Sequence, residues 1–349
     1  MQNRSVNFTQ QRDYNYQNPF GAEYYFVEGM GFVPVDPRSY EKQRIRGTGN
    51  ALGACLLVYF ATAVFLAPAV GQIFARLFAG WRFQASESAH LVLQIFVYLC
   101  SMALPFSLYK RMVRIPLRAA FPFRKGRGLF VGCGVGAALA CSVLGAVIST
   151  AVGVGLSAVG GRPYYAQSGP TLRPLPLLLY FLYSCILVPV MEELVFRGLV
   201  LQSLRPYGDT FALFSSAVLF GLMHLSPVQQ PNAFLLGLVI GYFTLVSGSL
   251  FTGMVMHAAV NLVAYFFTVL ELCLPAQVCT GVGYGAYILL LLAGLISVMV
   301  YMRRAKEGAF LLRRKTTYLL TREKNRSFYT APCMVMALVV VFGYMVSFL

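Results

Sequence analysis

Long apolar runs, separated by short polar and mostly basic segments, fill the chain from residue 51 onward. A transmembrane helix needs roughly 20 consecutive, mainly apolar residues. Runs of that order fall at 51–75, 89–109, 129–157, 174–204, 210–226, 231–248, 250–271, 283–302 and 331–349. The fifth and sixth are short, and the third and fourth are long enough to tilt. The pattern therefore predicts an all-α fold, a polytopic transmembrane helical bundle of eight or nine spans. Residues 1–50, rich in Asn, Gln, Tyr and charge, show no amphipathic period and read as a loosely ordered polar tail. Four regions follow: the tail 1–50, N-terminal membrane helices over 51–170, a core over 171–275, and C-terminal helices over 276–349 with a basic loop at 303–326.

Composition supports this division. The 349 residues are 58% hydrophobic and only 11% charged, with a mean hydropathy of +0.67, whereas soluble domains carry about 25% charged residues. The net charge of +16 does not imply nucleic-acid binding, because the basic residues are confined to segments between apolar runs. The tail holds six Lys and Arg, the loop 110–127 seven and the loop 303–326 nine, while the alternate loops hold only Arg76, Arg82, Arg162 and Arg173. Cytoplasmic loops carry such an excess. The reading is a multi-pass protein of the cell membrane with a cytoplasmic N-terminus and an external C-terminus. Membrane lipid is its expected partner, with no nucleic acid. The opening residues lack the short charged start and apolar core of a signal peptide.

The loop 303–326 repeats two apolar triplets, Phe310-Leu311-Leu312 and Tyr318-Leu319-Leu320, at a spacing that suits one helical face. A basic helix lying on anionic lipid and a solvated loop obeying the charge bias both fit. Six of the eight cysteines lie in or beside apolar runs as small packing residues. Cys273 and Cys279 share a short loop and can pair if it faces an oxidising compartment. Glycines at four-residue spacing, Gly132 with Gly136 and Gly237 with Gly241, read as places of close helix approach.

Chemistry concentrates in one place. The run 177–204 contains Glu192, Glu193 and Arg197, although the whole chain has only 12 acidic residues. An ionisable residue at membrane depth costs at least ~2.5–3.5 kcal/mol and marks function by default. Only three histidines occur: His90 at a span edge, His224 in FGLMH and His257 in HAAVN. Residues four apart share a helix face. Glu193 can therefore pair with Arg197, His257 can aim with Asn261 at one point, and Phe220 can pack on the ring of His224. Glu192, rotated about 100° from Glu193, is free to face elsewhere.

EELVFR (192–197), FGLMH (220–224) and HAAVN (257–261) follow the patterns EExxxR, FxxxH and HxxxN in order on successive helices. In these three motifs the chain resembles the CPBP family of intramembrane proteases, related to the CAAX prenyl endopeptidase Rce1 and to bacterial Abi proteins, over about 174–271. The resemblance implies a helical bundle with a buried polar catalytic cavity. It implies that Glu192 activates water, that His224 helps to hold it, and that His257 and Asn261 stabilise the oxyanion. Glu193 and Arg197 would hold the helix geometry. A hydrophobic or lipid-anchored peptide is the implied substrate.

Competing readings of the same residues remain. Glu192, His224 and His257 could ligate Zn²⁺, but HExxH is absent, and catalysis without a metal is the expectation. A buried ion cluster that only specifies packing, an ion-coupled transporter and a non-catalytic immunity or adaptor protein are the alternatives.

Overall fold

The computed structural model describes residues 24–27, 31–34, 36–77, 86–124, 126, 128–161, 170–304, 312 and 317–347. A short antiparallel hairpin, β1 (Tyr24–Val27) and β2 (Gly31–Pro34), pairs Tyr25 with Val33. Helix α1 (Pro37–Ala61) follows at once. It starts well before the expected residue 51 because Asp36 accepts the backbone N–H groups of Arg38 and Ser39, and Pro37 suits the first turn, where no intrahelical donor is needed. The later part of the expected tail is therefore helix. The earlier part, 1–23, lies outside the described residues.

A π-helical stretch, Thr62–Leu66, joins α1 to α2 (Ala67–Leu77). Next come α3 (Glu87–Val113), the single turn α4 (Leu117–Ala120) and α5 (Gly128–Ala158). The fourth apolar run forms one long, interrupted helix, Pro174–Tyr207. Its parts are α6 (Pro174–Phe181), a π segment Leu182–Leu187, α7 (Val188–Glu193), a second π segment Leu194–Val200, and α8 (Leu201–Leu204). Then follow α9 (Asp209–Leu222), α10 (Gln230–Ser247), α11 (Leu250–Cys273), α12 (Ala276–Arg304), α13 (Thr321–Tyr329) and α14 (Pro332–Val346).

Among the described residues seven helices are long and apolar enough to cross a membrane, or eight if α13 and α14, bent by 72°, count as one span. The protein is thus a multi-pass helical membrane bundle. The expected span 210–226 is the exception. Helix α9 has 14 residues, about 21 Å at 1.5 Å per residue, and stops short of full thickness. Its end is marked by Leu225, which adopts the left-handed region with φ 51°, unusual for a leucine. The chain then turns back into α10, so that α9 and α10 form a hairpin packed side by side.

The basic segments gather at one end. Arg38 pairs with Glu323 at 2.9 Å, and Glu41 accepts the backbone N–H groups of Tyr318 and Leu319 at 2.7 and 3.1 Å. Lys324 Nζ donates to the Tyr207 carbonyl at 2.7 Å. A cavity of ≈ 230 Å³ lies among Arg44, Thr48, Met112, Val113 and Tyr207, which places the end of α3 on the same level. Leu250 N–H bonds the Pro122 carbonyl at 3.0 Å, bringing the loop 121–124 and the start of α11 there too. Because α9 and α10 leave this end and return to it, the alternation that groups these basic segments survives the loss of one full span.

Three further expectations meet the structure here. Tyr318-Leu319-Leu320 is not helical; it is a bend leading into α13, held by Glu41. Most of the triplet at 310–312 lies outside the described residues. Cys273 and Cys279 are both free thiols. Of the paired glycines, Gly136 lies against Ser297, Gly237 against Ala217 and Gly241 against Leu213, whereas Gly132 has open space around it.

Candidate active site

The interrupted helix places both glutamates at its centre. Glu192 and Glu193 end α7, between the two π segments. Pro189 has no backbone N–H to give. In the preceding π register Val188 N–H bonds the Tyr183 carbonyl, so the Ser184 carbonyl would fall to Pro189 and find no donor. Asn261 Nδ2 supplies one at 2.8 Å. The second π segment is supported likewise: Ser216 Oγ donates to the Phe196 carbonyl at 3.0 Å and Gln202 Nε2 to the Arg197 carbonyl at 3.2 Å. π segments recur at functional sites, and here they turn two successive acidic residues inward.

Both carboxylates are buried, Glu193 at 0% exposure and Glu192 at 8%. Glu193 Oε1 meets Arg197 Nη1 at 2.8 Å and His257 Nδ1 at 3.0 Å. Arg197 also donates to the Gly237 carbonyl at 3.4 Å and sits over the Phe220 ring, 4.4 Å from its centroid. Glu192 stands apart. Its Oε1 accepts from the Tyr98 hydroxyl at 3.3 Å, and its Oε2 faces His257 Nε2 at 3.8 Å. Among the described residues Oε2 of each glutamate has no hydrogen-bond partner.

His257 thus lies between the two carboxylates, one on each ring nitrogen. A carboxylate only accepts, so the Nδ1 bond to Glu193 fixes a proton on that nitrogen. His224 reaches the cluster indirectly. Its Nδ1 bonds the Phe220 carbonyl at 2.9 Å, and the Phe220 ring stands edge-on to both imidazoles, with centroids 5.0 Å from His224 and 5.9 Å from His257. A carbonyl also only accepts, so His224 Nδ1 is the donor.

The structure therefore brings Glu192, Glu193, Arg197, Phe220 and His257 into one cluster, with His224 against the Phe220 ring. Asn261 lies one turn beyond His257 and is engaged by Ser184. Two participants carry no motif in the sequence. Tyr98 comes from α3, a helix outside the resembling region. Gly253 is four residues before His257, and a Cβ there would sit 2.7 Å from both Glu193 Oε2 and Thr244 Oγ1. The GxxxHxxxN spacing of Gly253, His257 and Asn261 was the available signal for the second.

A cavity of ≈ 710 Å³ adjoins the cluster, lined by Tyr98 and His224 together with residues of α1, α3, α14 and the π stretch after α1. The side chains suggested for zinc do not converge. No group of three His, Cys, Asp or Glu able to hold a metal ion occurs among the described residues. Glu193 occupies one nitrogen of His257 and the Phe220 carbonyl one of His224.

Residues 174–263 match the family model for type II CAAX prenyl endopeptidase Rce1-like. This stretch runs from the start of α6 into α11 and contains all three motifs, so the likeness to the CAAX protease family rests on this segment of the chain. No curated protein and no solved structure matches the chain.

Proposed function

We propose that this protein is an intramembrane endopeptidase that hydrolyses peptide bonds of hydrophobic or lipid-anchored peptides, with the segment 171–275 as its catalytic core. The observation that carries the reading is the pair Glu192 Oε2 and His257 Nε2, 3.8 Å apart, with Glu193 fixing the ring from behind.

The charge count explains the arrangement. Two carboxylates and one guanidinium sum to −1, and burying a net charge is costly. One proton shared between Glu192 and His257 makes the group neutral. A water entering beside the pair can donate to whichever atom lacks the proton. As its oxygen adds to the scissile carbonyl, one water O–H breaks and the proton passes to Glu192. The oxyanion is held by His257 Nε2–H and by the second N–H of Asn261, whose first is given to Ser184. The C–N bond then breaks as Glu192 returns the proton to the leaving amine, yielding a carboxylic acid and an amine, between which the acid proton passes to leave a carboxylate and an ammonium. A positioned base and preorganised donors are the two requirements of such a step. His224 Nε2 accepts from the incoming water, and the Tyr98 hydroxyl fixes the rotamer of Glu192. No metal is needed by this scheme. The basic end faces the cytoplasm.

The test compares new N-termini in membranes carrying the wild-type protein with those carrying Glu192→Gln. Termini that disappear with the substitution, while the protein stays folded and abundant, support the reading. Identical terminus sets would remove it.

A further inference from the structure

The ≈ 710 Å³ cavity has a direction. At about 1.5 Å per residue, its lining residues Tyr98 and Ser101 lie roughly 18–23 Å along α3 from the Val113 end, at the level of the glutamates. His224 lies about 22 Å from the start of α9 on the same scale. His90, also in the lining, is roughly 35 Å from Val113. Pro68 lies beyond the π stretch, on the side of α1 away from Arg38. The cavity therefore starts at Ser101, Tyr98 and His224 and runs away from the basic end, through the opposite half of the bundle.

Its walls are mixed. Val64, Leu93, Val97, Met223 and Leu225 supply apolar surface, and polar tips recur along the length from Ser101, Tyr98 and Tyr59 to Gln94 and His90. A hydrocarbon chain needs no polar partner. An extended peptide in a membrane must have its N–H and C=O groups satisfied by something. The volume lies within the roughly 300–1,000 Å³ usual for binding sites. The geometry points to this cavity as the channel by which a peptide substrate reaches Glu192, entering in extended form through the half of the membrane opposite the basic end. This rests on the peptidase reading and adds the side of entry. Substrates would be peptide segments presented on the face of the membrane away from the enzyme's own basic segments.

Site-directed labelling tests the route. Cys273 and Cys279, at the far ends of α11 and α12, are first replaced by serine. Ala63→Cys in the cavity and Lys42→Cys at the basic end are then treated, in separate sealed vesicles of known orientation, with a membrane-impermeant sulfonated maleimide. The two thiols are expected to label from opposite sides. The adduct at Ala63→Cys is expected to lower Glu192-dependent terminus formation at least tenfold against the same variant unlabelled, and the adduct at Lys42→Cys to leave it within twofold. The Glu192-dependent termini should map to substrate segments on the side from which Ala63→Cys labels. Labelling of both thiols from one side, or full processing by the Ala63→Cys adduct, overturns the route while leaving the peptidase reading intact. Absence of any Glu192-dependent terminus before labelling overturns both.

Discussion

Asn261 supplies the hydrogen bond that Pro189 removes, donating to the Ser184 carbonyl at 2.8 Å across the contact between α11 and the interrupted helix. The asparagine that the HxxxN motif marks as a candidate oxyanion donor is thus also a pin. The two duties can be separated. Asn261→Ala leaves a half-buried carbonyl without a donor, a loss of about 1–3 kcal/mol. Adding Pro189→Ala restores a backbone N–H at that point. The double variant should therefore recover most of the thermal stability lost by Asn261→Ala in detergent, yet remain deficient in processing. Recovery of both properties together would reduce Asn261 to its structural part.

The two adjacent glutamates should behave differently. Glu193 is the sole carboxylate paired with the buried Arg197 among the described residues. Removing one partner of a buried pair costs about 3–5 kcal/mol, so Glu193→Gln should lower the unfolding temperature and abolish processing together. Glu192 holds no such partner, and Glu192→Gln should stop processing while unfolding stays near the wild-type temperature. Comparable destabilisation by both substitutions would favour the reading of the cluster as packing alone.

Tyr98 offers a graded version of this test. Tyr98→Phe removes one hydroxyl donor to Glu192 at 3.3 Å. A hydrogen bond of this kind contributes about 0.5–1.5 kcal/mol, so the processing rate should fall roughly 2- to 10-fold with the set of cleavage sites unchanged. A complete loss would mean that the hydroxyl takes part in the chemistry itself.

These residues show what the sequence could and could not reveal. The apolar runs of α3, α5, α10 and α11 were legible because a membrane span must be nearly free of charge over its length. The Glu193–Arg197 pair was legible from helix periodicity, which is local. The early start of α1 was hidden because its first turns are held by an Asp36 cap and by contacts with residues near 320, far away in sequence. Helix α9 read as a span because its apolar run continues through Met223, but Leu225 turns the backbone there. Tyr98 and the Ser184 carbonyl were beyond reach, since each joins the site only through packing between helices. The assignment of both nitrogens of His257 to carboxylates is tertiary in the same way.

Metal dependence has a definite expectation. The imidazoles of His224 and His257 both stand edge-on to the Phe220 ring. Glu193 and the Phe220 carbonyl hold one nitrogen of each histidine. Terminus formation in membranes treated with a strong chelator should continue at the untreated rate, and added Zn²⁺ should not increase it. A loss with chelator that Zn²⁺ restores would require the two histidines to reorient around a metal, and the Glu193 contact to break.

Gly253 closes the back of the site. Glu193 Oε2 approaches α11 so closely that a Cβ at this position would lie 2.7 Å from it and 2.7 Å from Thr244 Oγ1. Real Cβ atoms do not tolerate such contacts, and the Glu193 side chain is held through its other oxygen by Arg197 and His257, so the carboxylate or the helix must move. Overpacking of this kind costs about 1–3 kcal/mol. In Gly253→Ala the displaced carboxylate would also loosen its hold on His257 Nδ1, one turn along the same helix. The expected result is a lowered unfolding temperature together with a fall in processing larger than that of Tyr98→Phe. Pairing it with Thr244→Ala, which vacates space beside the new methyl group, should restore part of the stability and part of the processing. If Gly253→Ala instead leaves both unchanged, the close approach of Glu193 to α11 is not required for holding His257.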